Sequence, residues 1–225
     1  MSIIDFKFNN EGYYVYRSHF NDEEMNNITQ LLNVEKIVNS SLVNMNDIFL
    51  TEDLEVKVIK QIQHLEIFDD IRTIGEKLIN DFQLYGSIIN MQIFNKHSGY
   101  KITKPHQDGS YFGCDNYVTF WIPLQDVNIH NSCLYYLNGS HKCGALKHES
   151  NGSIVRTRSG VTGLSLECVN THISDYTPII MKRGDIICHH PYTLHYSSTN
   201  TTRDIRTALT CIVKLNSLNN IENVL

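Results

Sequence analysis

Near residue 86 the sequence changes its period. Upstream, apolar residues recur at intervals of three and four; downstream they come in short runs rich in β-branched and aromatic side chains. Few architectures bury both halves of such a chain. The short strands must close on one another as a sandwich or barrel, and the amphipathic helices must pack outside it. The upstream helices are expected in three places. One is capped by Asn21-Asp22 and carries Met25, Ile28, Leu31 and Leu32. A second starts at Thr51, with Glu52, Asp53 and Glu55 where the helix dipole favours acids, and continues through Leu54, Val58 and Ile62. A third runs from Phe68 to Ile79 with Ile71, Ile74, Leu78 and Ile79 inward. Tyr13-Tyr14-Val15-Tyr16 reads as a short strand.

Downstream, strands are expected at Ile88–Phe94, Tyr117–Leu124, Cys133–Leu137, Ile179–Met181, Ile186–His190 and Arg206–Val213. Turn clusters separate them at Asn95–Gly99, Asn138–Ser140, Arg183–Asp185 and Ser197–Thr202. The polar stretch from Lys142 to Thr177 has weak periodicity and reads as a long loop over one end of the core. No repeat and no linker divides the chain. One domain over residues 1–225 is the expectation, with 1–85 as mostly helical support and 86–215 as the β core.

Composition narrows the function. A formal charge of −5 and no Lys/Arg cluster leave nothing to grip a phosphate backbone, which argues against nucleic acid as a partner. No stretch approaches the roughly 20 apolar residues of a membrane span, and Met1–Asn10 has no signal-peptide core, so a cytoplasmic protein is expected. Six cysteines without a C-x-x-C pair read as reduced thiols.

The chemistry lies among the 11 histidines. In His106-Gln107-Asp108 an imidazole and a carboxylate two residues apart leave one face of an extended segment and can share a divalent ion. Such a triplet is weak evidence by itself. Downstream stand His189, His190 and His195, and Arg206 follows His195 by 11 residues across a polar turn and into a strand. Two histidines and a carboxylate occupy one face of an octahedral iron and leave three positions open, room for a chelating 2-oxo acid and dioxygen. Arg206 suits the far carboxylate of such an acid through its planar fork. His189 and His190 compete as ligands; the spacing to Arg206 favours His195.

"HQDGSYF" (106–112), "VTFWIPLQDV" (118–127), "NSCLYYLNGSHK" (131–142) and "GDIICHHPYTLHYSSTNTTRDIR" (184–206) together resemble the phytanoyl-CoA dioxygenase family of Fe(II)/2-oxoglutarate oxygenases. "GYYVYRSHFNDEEMNNITQLL" resembles the opening strand and helix of that family. The resemblance implies a double-stranded β-helix, or jelly-roll, with N-terminal helices on one sheet. It implies Fe(II) held by His106, Asp108 and His195, with O2 and 2-oxoglutarate as co-substrates. Arg206 and Ser197 would take the distal carboxylate, Trp121 would line the pocket, and Gln92 would touch the co-substrate. Asp108 is retained, whereas related halogenases replace it, so hydroxylation is favoured. Two residues depart from the family pattern: Ser132 stands for Gly and Asn138 for Pro. Ser132 would then need ordinary backbone angles. The expected activity is hydroxylation of a small molecule with release of succinate and CO2. The alternatives are a catalytically silent jelly-roll that binds metal or ligand, and a peptide or protein hydroxylase. Arg156 and Arg158, in the polar stretch, are either a clamp for an anionic substrate or a solvated pair.

Overall fold

The computed structural model describes residues 10–32, 48–50, 55–58, 66–99, 102–112, 115–157, 160–169 and 171–216. Among the described residues thirteen strands form two antiparallel sheets. In chain order they are β1 (Tyr13–Tyr16), β2 (Ile48–Leu50), β3 (Glu55–Val58), β4 (Gly86–Lys96), β5 (Thr103–His106), β6 (Tyr117–Pro123) and β7 (Leu134–Tyr136). There follow β8 (His148–Thr157), β9 (Gly160–Cys168), β10 (Thr177–Ile179), β11 (Ile186–His189), β12 (His195–Ser197) and β13 (Arg206–Leu215). The larger sheet has the order β1-β11-β6-β13-β4-β3-β2-β8-β9, and the smaller β10-β7-β12-β5. The two sheets face each other as a jelly-roll, the fold class expected from the sequence.

Alternation along the strands separates two cores. On the outer face of the larger sheet, Val118, Phe120 and Ile122 of β6, Leu209, Cys211 and Val213 of β13, and Met91 and Ile93 of β4 share one cluster. Helices α1 (Asp22–Leu31) and α2 (Glu66–Asp81) cover it with Met25, Ile28, Ile71, Ile74 and Leu78. Each such side chain contributes about 1.5–3 kcal/mol when fully buried. The inner face carries Trp121, Ile187, Ala208 and Tyr13, packed against Leu134, Tyr136 and Ile179 of the smaller sheet. Strand β6 is therefore buried on both faces, which is why "VTFWIP" reads as a continuous apolar run. α1 opens as expected: Asn21 Oδ1 accepts from the Glu24 amide at 2.9 Å, and Glu24 returns the bond to the Asn21 amide.

Three expectations need correction. Residues 55–58, assigned to the second helix, are strand β3; Thr51 to Leu54 and Ile62 lie outside the described residues. The acids that suited a helix start compete with the alternation of Val56 and Val58, and pairing with β4 decides for strand. The segment Lys142–Thr177 is not a loop, because β8 and β9 form a hairpin that β2 joins to the larger sheet. Its polar composition hid a two-stranded ribbon. Ser132 has φ +72°, a left-handed conformation rather than an ordinary one. Its hydroxyl donates to the Ser198 carbonyl, which offsets some of the strain.

The turn at Arg183–Asp185 forms where expected. Asp185 accepts from the Lys182 and Ser18 amides and from Arg17, tying β1 to the head of β11. Burial would raise its pKa, but these donors lower it below the usual carboxylate value.

Candidate metal centre

His106 ends β5, and His195 opens β12 directly opposite it in the ladder. Asp108 follows in the turn before the short helix α3 (Gly109–Phe112), so the carboxylate comes from a turn and not from the extended segment expected. That turn is pinned on both sides. Gln107 is fully buried; its amide group donates to Tyr192 O at 2.6 Å and Gly144 O at 2.9 Å and accepts from the Leu146 amide. The Gly109 amide donates to Pro191 O, and Gly109 lies so close to the Tyr192 ring that an added Cβ would meet it at 2.5 Å.

One donor atom from each of His106, Asp108 and His195 lies within 4.8 Å of the others. Asp108 Oδ1 is 3.7 Å from His106 Nε2 and 3.6 Å from His195 Nε2. Donors about 2.1 Å from a shared ion are at most about 4.2 Å apart, so both separations fit one ion. The rings are oriented for it. His106 Nδ1 lies 2.8 Å from the Lys104 carbonyl and His195 Nδ1 lies 3.0 Å from the Thr193 carbonyl. A carbonyl only accepts, so each Nδ1 carries the proton and each Nε2 keeps its lone pair for the centre. Burial lowers both pKa values, that of His195 to about 3, so both rings are neutral at pH 7. Burial alone would raise the Asp108 pKa, but the bond from His189 and the surrounding imidazoles hold it well below the carboxylate range.

Arg206 opens β13 and is buried in the same interior. Its guanidinium lies 5.4 Å from the Trp121 ring, and its Nε and Nη1 have no hydrogen-bond partner among the described residues. Desolvation brings its pKa down to about 10. A buried guanidinium with unmet donors fits an acid that binds there. Ser197 is held by Lys96: the ammonium donates to Ser197 Oγ at 2.9 Å and to its carbonyl at 3.2 Å. Lys96 is fully buried and pairs with Arg206 in the ladder, so two cations share this end of the interior. Gln92 and Trp121 both pair with Thr210, which places them two strands apart in one row. Among the described residues, no hydrogen bond joins Gln92 to the other residues assigned to the site.

Sequence reasoning missed the residues behind the ligands. Thr119 Oγ1 donates to Asp108 Oδ2 at 2.8 Å, and His189 Nε2 lies 3.0 Å from the same oxygen. His189, a rival ligand by its position in the sequence, contacts the carboxylate instead. The visible signals were the polar Thr119 at an inward position of an apolar strand and the charged Lys96 closing another. Arg156 lies on β8 and Arg158 falls outside the described residues, so the clamp they were weighed for lies outside the described side chains.

Residues 8–208 match the profile of the family described as phytanoyl-CoA dioxygenase (PhyH). The chain belongs to the phytanoyl-CoA dioxygenase family. It is 28% identical over 112 residues to human peroxisomal phytanoyl-CoA dioxygenase, a match covering 47% of this chain and 31% of the human protein. The corresponding mouse and Arabidopsis thaliana matches span 39% and 35% of those proteins, so the chain covers about a third of the length of the curated relatives it first matches. A Caenorhabditis elegans phytanoyl-CoA dioxygenase domain-containing protein 1 homolog is 25% identical over 91% of this chain and 87% of its own length. Among solved structures, EvdO2 from Micromonospora carbonacea var. aurantiaca, complexed with 2-oxoglutarate, superposes with a TM-score of 0.66 at 16% identity. That match covers 96% of this chain and 94% of EvdO2, and at this identity it speaks to the shared fold. Among the described residues no helix is long and apolar enough to cross a membrane.

Proposed function

We propose that this member of the phytanoyl-CoA dioxygenase family is an Fe(II)/2-oxoglutarate-dependent dioxygenase that hydroxylates a C–H bond of a small molecule. His106, Asp108 and His195 would hold the iron. Arg206, flanked by Trp121 and accompanied by Ser197, would take the distal carboxylate of 2-oxoglutarate, and Gln92 would line its path. With its iron and co-substrate in place, such a centre consumes O2, converts 2-oxoglutarate to succinate and CO2, and turns C–H into C–OH.

The observation that carries this reading is the pairing of features inside one barrel. A two-histidine, one-carboxylate group lies between the sheets, and a buried arginine with unmet donors shares the same interior. A silent ligand-binding jelly-roll has no need of both. The residues of the chain supply orientation and dryness: the Lys104 and Thr193 carbonyls fix the ring tautomers, and Trp121 and Ala208 exclude water beside Arg206. The acidic net charge supports a free small molecule over nucleic acid as partner, and six cysteines without a C-x-x-C pair in one domain over 1–225 support a reducing, cytoplasmic location.

The test is an anaerobic titration of the metal-free protein with Fe(II) and then 2-oxoglutarate, watching for the visible charge-transfer band of the chelate. A band lost in His106→Ala and in Arg206→Ala is expected. Correctly folded protein that gives no band sinks the dioxygenase reading in favour of the silent jelly-roll.

A further inference from the structure

We infer that Tyr136 and His189 form a positioning pair that holds Asp108 to the metal ion through a single oxygen. The inference rests on the metal-centre reading above. A carboxylate can bind an ion through one oxygen or both. Here the two oxygens of Asp108 have different surroundings. Oδ1 faces the Nε2 atoms of His106 and His195, whereas Oδ2 lies within hydrogen-bond distance of two donors, Thr119 Oγ1 and His189 Nε2. Turning Oδ2 towards the ion would cost both bonds.

What fixes His189 is Tyr136. Its hydroxyl lies 2.9 Å from His189 Nδ1. The carboxylate can only accept, so His189 Nε2 carries a proton; the Tyr136 hydroxyl, donating to Nδ1, keeps that nitrogen the acceptor. The phenol thus selects the tautomer that aims a proton at Asp108. Neither residue has room to turn. Tyr136 is fully buried and His189 is 2% exposed. The Tyr136 ring stacks on Tyr13 at 4.4 Å and lies 5.5 Å from the His195 ring at an interplanar angle of 24°. The ladders put Tyr13, His189 and Thr119 in one row across β1, β11 and β6, and Tyr136 opposite His195 in the smaller sheet. The pair therefore bolts one sheet to the other beside the centre. Its consequence is a count of open positions. Asp108 bound through Oδ1 alone leaves three, enough for a chelating co-substrate and dioxygen; binding through both oxygens removes one.

The experiment is a Co(II) titration of the metal-free full chain, read by the d–d bands, whose intensity follows coordination number. The unaltered protein is compared with Asp108→Ala, His189→Phe, His189→Gln and Tyr136→Phe, and circular dichroism of each metal-free form reports folding. His189→Phe is expected to weaken Co(II) binding about 10- to 100-fold and to change band intensity as Oδ2 reaches the ion. His189→Gln places an amide N–H where Nε2 was and restores the spectrum, which a purely space-filling role would not require. Tyr136→Phe moves affinity and spectrum in the same direction by less. If His189→Phe fails to fold, Tyr136→Phe and His189→Gln carry the comparison. Folded His189→Phe or Tyr136→Phe with unchanged affinity and spectrum overturns the inference, as does a folded His189→Gln that rescues nothing. If the unaltered protein takes up no Co(II), or takes it up regardless of Asp108→Ala, the metal-centre reading falls and the inference with it.

Discussion

Replacing Arg206 by methionine should make the metal-free protein more stable and unable to respond to 2-oxoglutarate. The guanidinium is 2% exposed, and its Nε and Nη1 find no acceptor. Burial brings its pKa from an ordinary value above 12 to about 10. At about 1.4 kcal/mol for each factor of ten in proton affinity, the charged form costs the folded state about 3 kcal/mol. Both the folded and unfolded values lie above neutrality, so the penalty is present in full at pH 7 and begins to lift only above about pH 10. Against it stands the contact with the Trp121 ring, about 1–2 kcal/mol when desolvated. Methionine fills a comparable linear volume without charge. The metal-free Arg206→Met protein should therefore gain about 1–2 kcal/mol, which at this chain length is a rise in Tm of about 2–8 °C. Thermal unfolding at pH 7 with Co(II) supplies the second half of the assay. Saturating 2-oxoglutarate at about 100 times its Kd should stabilise the unaltered protein by about 2.7 kcal/mol and the variant not at all. An Arg206→Met protein less stable than the unaltered one when metal-free, or one that still gains stability from 2-oxoglutarate, would refute the reasoning.

Because burial brings the pKa of His195 down to about 3 and lowers that of His106 below its ordinary 6.5, Co(II) affinity measured by titration should stay flat between about pH 7 and 8. The same shift predicts that stability falls as pH drops from about 6.5, where an unfolded histidine begins to bind its proton, towards 3, which denaturant melts at stepped pH would follow. Gly109→Ala, with its Cβ 2.5 Å from the Tyr192 ring, should displace the Asp108 turn and weaken Co(II) binding about tenfold or more while leaving far-UV circular dichroism intact. Ser132→Gly relieves a left-handed residue but loses the bond to Ser198, so denaturant melts should move by less than about 1 kcal/mol, whereas Ser132→Ala keeps the strain and should cost about 1 kcal/mol.

What the sequence made legible follows from where a physical rule acts alone. α1 could be read because a cap and an apolar stripe agree with the packing that covers the larger sheet, and α2 because its apolar stripe does. Strands β6, β11 and β13 could be read because both of their faces meet apolar neighbours, and β4 because Met91 and Ile93 alternate into the outer cluster. Strand β3 was lost because four residues with acids nearby satisfy two patterns, and the pairing partner that decides lies some 35 residues downstream. The hairpin of β8 and β9 was lost because polar strands carry no burial signal. Within the site, His106, Asp108, His195 and Arg206 stood out through spacing, and the fold gathers them in one interior. His189 is visible in the sequence only as the less favoured rival of His195. Nothing in "ICHHP" reveals that the first histidine points inward at a carboxylate while the second turns back on its own loop, where its Nδ1 accepts from the Tyr192 amide. Tyr136 looked like one more aromatic in a strand, because its hydroxyl partner is 53 residues away.

Gly12 closes the structure around this centre. Its carbonyl accepts from the His190 amide at 2.8 Å and from the Thr193 hydroxyl at 2.7 Å, and Thr193 in turn orients His195. The bond partners are about 180 positions apart along the chain. During synthesis, then, residues 12 and 106–108 emerge long before their counterparts at 189–206, and the β ladder that would hold them has no second rail. Contacts of such long range form late and slowly. A growing chain that has not reached His195 carries His106 and Asp108 without their third partner, so the three donors come together only late in synthesis.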